Sequence, residues 1–246
     1  MTMTRYPVRS RTIPVAGATV GLRESGDPAG PAAVLLHGGS SSAVTWDRLA
    51  AALTAAGHHI IAADLRGHGG SARARDYPLH CYSDDIRGLM DAFGIGSAAL
   101  VGHSLGGYAA SVVAQREPDR VSRLVLEEPG LPARDDASSH GLSGPRFLLS
   151  AVAGLAVRRG YDRRAVTSAV RQLRAPDPVW WDRLSLITAS TLLISGGPAS
   201  HIPPRQLAEV ARSIPHCRVV TIAAGHRVHS HRPEQFLAAI MPFLTG

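Results

Sequence analysis

Gly102-His103-Ser104-Leu105-Gly106-Gly107 stands between two segments of different character. Before it, Ser97-Ala98-Ala99-Leu100-Val101 is a run of small and apolar residues, as a buried strand requires. After it, Tyr108 to Arg116 reads as a helix that closes before Pro118. Gly-x-Ser-x-Gly between strand and helix marks a turn too tight for side chains at 102 and 106. Such a turn lifts the serine Oγ out at the carboxyl end of a sheet, above the positive N-terminus of the following helix. Ser104 is therefore the candidate nucleophile.

Outward from this turn the chain alternates strand and helix. Residues 10–24 read as a hairpin turning at Ala16-Gly17, and Gly26 to Pro31 as a loop. Ala32-Ala33-Val34-Leu35-Leu36 is continuously apolar, as expected of a strand covered on both faces. A helix is expected over 44–56, with Trp46, Leu49, Ala50 and Leu53 at helical spacing, then a strand at 59–63 and a helix at 83–93. Val121 to Leu126 is a further strand, ending at Glu127-Glu128-Pro129. Residues 130–185 break the pattern, with helical stretches at 146–158 and 161–174 and no clear strand. Strand 191–195, helix 203–213, strand 218–222 and helix 233–244 resume it. The alternation predicts an α/β protein with a doubly wound, mostly parallel sheet.

The length of 246 residues suits one such domain with an insertion, and 45% apolar against 18% charged residues marks a globular chain. The N-terminus lacks the apolar core of a signal peptide, and the longest apolar stretch, 147–157, is too short to span a bilayer. A cytoplasmic protein without membrane partners is expected. Cys81 and Cys217 suggest neither a metal motif nor a disulfide framework. All 26 basic residues behind the net charge of +7 are arginine. No aromatic-interleaved basic stripe accompanies them, which argues against nucleic-acid binding.

The pieces resemble the α/β-hydrolase fold, in the order its members use. The resemblance rests on His37-Gly38-Gly39 after the third strand, Asp64-Leu65-Arg66-Gly67-His68-Gly69 after the fourth, the serine turn, and Gly225-His226 after the last strand. It implies a core of residues 1–129 and 186–246, with 130–185 as a helical cap. It makes His226 the base; His229 and His231 are nearby rivals, but the spacing to Pro233-Glu234-Gln235-Phe236 favours His226 and leaves them as surface or packing residues. Arg227 stands where relatives often carry an aromatic. The oxyanion donors implied are the backbone N–H groups of Gly39 and Leu105. His37, Gly38, Ser40, His103, Trp46 and Phe147 are candidate pocket residues.

The third triad member departs from the family pattern. Gly196-Gly197-Pro198-Ala199-Ser200-His201-Ile202-Pro203 carries Ala199 at the usual aspartate position, and no carboxylate occurs between Ser185 and Glu209. Some family members place the acid after the strand that follows the elbow helix, where this chain has Glu127 and Glu128. The register favours Glu128 as the residue that orients His226, with Glu127 as the alternative. Adjacent carboxylates also stand to raise one another's pKa, and a solvated strand-end pair is the bland alternative.

The resemblance implies cleavage of an ester, lactone or thioester without metal or cofactor, on a small-molecule acyl substrate. Alternatives are C–C bond cleavage, perhydrolysis or acyl transfer in the same pocket, or a hydrolase-like binding protein with a weakened triad. Segment 130–178 holds eight arginines (134, 146, 158, 159, 163, 164, 171 and 174) against four aspartates. Such a basic rim on an apolar lid suits an acyl substrate and, by extension, an acidic carrier-protein partner.

Overall fold

Continuous apolar runs bury both faces of a strand, and Ala32–Leu36 (β3) and His59–Ala63 (β4) pair in parallel at the centre of the protein. The computed structural model describes residues 7–15, 17–135 and 160–246. The remaining strands are Arg9–Val15 (β1), Ala18–Ser25 (β2), Ala98–His103 (β5), Val121–Glu127 (β6), Ser190–Ser195 (β7) and Cys217–Thr221 (β8). They form one eight-stranded sheet in the order β1-β2-β4-β3-β5-β6-β7-β8. Only β2 runs antiparallel to its neighbours; β4 to β8 are joined in parallel through β3. Helices Asp47–Ala55 (α1), His80–Ala92 (α2), Leu105–Arg116 (α3), Arg163–Arg174 (α4), Pro178–Asp182 (α5), Pro204–Ser213 (α6), Val228–His231 (α7) and Pro233–Thr245 (α8) follow in chain order.

Period-two alternation sorts the strand side chains onto two faces. Val34, Leu36, Leu100, Leu124 and Leu126 pack with Ile86, Leu89 and Met90 of α2 and Ala109 and Val113 of α3. Ala33, Leu35, Val101 and Val125 pack with Leu49 and Leu53 of α1 and Phe236 and Ile240 of α8. Gly102 thereby meets α3, while His103 and Glu127, register partners across β5 and β6, continue the α1/α8 face.

Tertiary contacts shift the element ends. The helix expected from 44 begins as a 3₁₀ turn over Ala43–Trp46, whose first N–H donates to Asp64 Oδ1 at 2.7 Å. α2 starts three residues before the expected 83. Within 130–185, α4 replaces the expected 161–174 stretch, capped by Asp162, which accepts the Arg164 N–H at 2.9 Å. The other expected helix, 146–158, and Phe147 lie outside the described residues. The unexpected α5 is capped by Asp177 and buries Trp180 and Trp181, Trp180 Nε1 donating to Ser111 Oγ of α3 at 3.0 Å. No helix among the described residues is long and apolar enough to cross a membrane.

Candidate active site

Ser104 links β5 to α3 at φ 51° and ψ −116°, a left-handed conformation that a residue with a Cβ adopts only under constraint. The constraint is local crowding. A Cβ on Gly102 would stand 2.6 Å from the Gly107 nitrogen, and one on Gly106 would stand 2.6 Å from the His37 carbonyl oxygen. Ser104 O accepts from Tyr108 N–H at 2.9 Å and Gly130 N–H at 2.8 Å, and Ser104 N–H donates to Glu127 O at 3.1 Å. Among the described residues the non-glycine positions with positive φ are Ser40, Ser104 and Glu128, all three in this region.

His226 follows Gly225, whose φ of 73° turns the loop after β8. Its Nδ1 lies 3.3 Å from Glu128 Oε2, and 19% of its side-chain surface stays accessible, so a ligand can reach the ring. Glu128 is fully buried. The Gly196 N–H donates to its Oε1 at 2.5 Å, and the Ser200 hydroxyl makes a short hydrogen bond to its Oε2. The loop that carries Ala199 in place of an acid thus supplies two donors to the acid that arrives from β6.

Adjacent residues on a strand point to opposite faces. Glu127 obeys this rule and Glu128, at φ 46°, leaves it, so that both carboxylates reach one loop. Glu127 meets His229, accepting its backbone N–H at 2.9 Å and its Nδ1–H at 2.7 Å. Neither glutamate is solvated, and they do not raise one another. Burial raises Glu128. Burial also pushes Glu127 upward, but His229 and His103 outweigh it and hold Glu127 below the usual carboxylate range. Of the two expected as surface or packing residues, His229 is buried and paired because α7 turns it inward, and His231 is exposed.

Burial first, then His201, Arg227 and His229, hold His226 well below the ordinary histidine value, so the ring is neutral at pH 7. The His201 ring centroid stands 4.0 Å from that of His226. His103 Nε2 donates to the His226 carbonyl at 2.7 Å and fixes the backbone beneath the ring. Sequence reasoning missed His201, Ser200 and Thr45, whose places beside the two glutamate–histidine pairs come from segments far apart in the chain.

Leu105 opens α3, where backbone N–H groups have no partner within the helix. The segment 37–39 is tied to it by Gly106 N–H, which donates to His37 O at 3.1 Å. A Cβ on Gly39 would stand an ordinary 3.6 Å from Val166 of α4, which therefore lies over this residue. His37 and Trp46, candidate pocket residues, are instead core residues. His37 Nε2 accepts the Leu65 N–H at 2.9 Å, and burial pushes its pKa down to about 3. Trp46 is 1% exposed, its ring packed against those of His229 and Phe236. Gly38 is filled by its neighbours, a Cβ there lying 2.6 Å from His103 Nδ1. Ser40 lines a cleft of about 860 Å³ together with Ser41, Thr45, Tyr161, Arg227 and His229.

The alpha/beta hydrolase fold family matches residues 31–156 of this chain. An esterase of Mycobacterium tuberculosis is 30% identical across 92% of this chain and 86% of its own. An sn-1-specific diacylglycerol lipase of Mus musculus is 28% identical over 89% of this chain and 83% of its own. The crystal structure of an enol-lactonase from Burkholderia xenovorans superposes with a TM-score of 0.82 at 24% identity, covering 96% of this chain and all of that one. The protein belongs to the α/β-hydrolase family, and it is a hydrolase of that fold.

Proposed function

We propose that this hydrolase cleaves a small-molecule ester, lactone or thioester through an acyl-enzyme, with Ser104, His226 and Glu128 as its triad. The observation that carries this reading is the hydrogen bond from His226 Nδ1 to the buried Glu128 carboxylate, beside a serine held in a strained turn. With Nδ1 donating, the Nε2 lone pair is the one left to take the serine proton. Ser104 Oγ makes no hydrogen bond among the described residues, so this reading requires its contact with His226 Nε2 to form in the substrate complex.

Ser104 Oγ attacks the acyl carbon while His226 takes its proton, and the carbonyl π electrons move onto oxygen. The N–H groups of Gly39 and Leu105 stabilise that oxyanion. Collapse expels the alcohol or thiol, which leaves with the proton from His226. Water, activated by the same ring, then releases the acid and restores Ser104. Glu128 holds the productive tautomer and offsets the imidazolium charge. The chemistry closes without a metal or organic cofactor. α4 forms part of a cap, Val166 sitting over Gly39. The esterase and lipase relatives support the acyl class. No carrier-protein partner is part of this reading.

The test is labelling by a fluorophosphonate probe together with hydrolysis of p-nitrophenyl esters. The wild-type protein is expected to be labelled on Ser104 and to turn over. Ser104→Ala is expected to abolish labelling and lower kcat/KM by about 10⁴-fold or more. A wild-type protein that neither labels nor turns over overturns the reading.

A further inference from the structure

Beside the Glu128–His226 pair stands a second carboxylate–imidazole pair that the proposed mechanism does not use. Glu127 and His229 are buried together, joined by two bonds from His229, one from its backbone N–H and one from Nδ1. The far nitrogen of the same ring, Nε2, lies 2.7 Å from Thr45 Oγ1. Thr45 belongs to the segment that begins with His37-Gly38-Gly39, and His229 follows His226 by three residues. One imidazole therefore spans from the end of β6 to the loop carrying Gly39 and, through its own backbone, to the loop carrying His226. Trp46 and His103 flank its ring, with centroids at 4.6 and 5.0 Å, and leave it no room to turn away.

We propose that His229 is a positioning residue, clamped between Glu127 and Thr45 so that the base loop and the oxyanion loop keep one relative geometry. The proposal rests on the triad reading above. A buried carboxylate–imidazole pair is a poor source of net stability, but it specifies one arrangement of the groups it joins. Acyl transfer needs that arrangement, because the base on one loop and the oxyanion donor on the other must converge on one carbonyl.

The pair also bears on the proton affinity of His226. The groups facing that ring are Glu128 from β6, His201 from the loop after β7, His103 from β5, and Arg227 and His229 from its own loop. Glu127 lies one residue from the acid. Replacing His229 removes a group that disfavours the imidazolium, and so raises the His226 pKa.

The experiment uses p-nitrophenyl butyrate and a fluorophosphonate probe on the full chain. Thr45→Val keeps the shape of a half-buried residue and leaves the Glu127–His229 pair intact. It is expected to lower kcat by roughly 10- to 100-fold with KM unchanged, and Thr45→Ser to restore it. His229→Asn, whose amide stands near the Nδ1 position, is expected to move the acid limb of the kcat/KM profile to higher pH. Hydrogen exchange across 226–231 is expected to quicken in both Thr45→Val and His229→Asn. If His229→Asn does not fold, Thr45→Val decides alone. Wild-type kcat and pH profile in the variants, or a lower melting temperature with kcat unchanged, overturn the positioning role while Ser104 labelling keeps the triad. Probe found on Thr45, or no labelling and no turnover in wild type, removes the triad reading and this role with it.

Discussion

Two glutamates that are neighbours in sequence hold opposite electrostatic positions. The pKa of Glu127 is lowered on folding, so its ionised form adds stability above the ordinary carboxylate value, and that contribution is lost as pH falls through the lowered value. The pKa of Glu128 is raised by burial, so its contribution is present only in acid and gone at neutral pH. Glu127→Gln is accordingly expected to cost about 2–3 kcal/mol at pH 7, a drop in melting temperature of roughly 5–10 °C. Glu128→Gln is expected to leave melting unchanged or higher, while kcat/KM falls by about 10⁴-fold as the His226 tautomer is lost. Paired melting and kinetic measurements read this contrast. A Glu127→Gln protein with the larger catalytic loss at unchanged melting temperature would exchange the two roles. Residue chemistry also sets the pH profile: with His226 held below its ordinary value, the acid limb of kcat/KM is expected below pH 6.5, the reference value for histidine.

At the scale of elements, the strand–turn–helix around Ser104 was legible because its requirements are local. Gly102 and Gly106 are dictated by backbone atoms only a few residues away or on the adjacent strand connection. The two glycines of the site that matter for opposite reasons give a test. Gly106→Ala drives a Cβ into the Leu36 and His37 carbonyls and is expected to destabilise by about 1–3 kcal/mol. Gly39→Ala meets only Val166 at ordinary contact distance, so thermal denaturation is expected to be unchanged. Its added methyl crowds the acyl group, so ester hydrolysis is expected to fall. Helix starts were less legible, since the turn at Ala43 depends on Asp64 across the sheet. The inward turn of α7 was not legible at all. His229 finds Glu127 across 102 residues of chain, and no periodicity within 226–231 encodes that meeting.

For the molecule as a whole, a net charge of +7 borne entirely by arginine acts at distances beyond any single contact. A carboxylate-bearing ester is expected to lose kcat/KM as salt rises, while a neutral ester of equal length keeps it. Equal salt dependence for the two would show that the charge lies away from the entrance. The sheet organises this surface without depending on it. Both core faces are apolar, and the charged groups buried at the site come from the ends of β6 and the loops after β7 and β8.

The sequence by itself determined the alternating architecture, the turn that raises Ser104, and the absence of a carboxylate after β7. Each is written in neighbouring residues through hydrophobic period, glycine spacing and residue type. The two glutamates could be placed at a strand end but not told apart by alternation alone. Only the tertiary structure decided that Glu128 leaves the strand in a left-handed turn to meet His226 while Glu127 stays in register to meet His229. That choice depends on donors from Gly196, Ser200 and α7, which folding alone brings within hydrogen-bond reach.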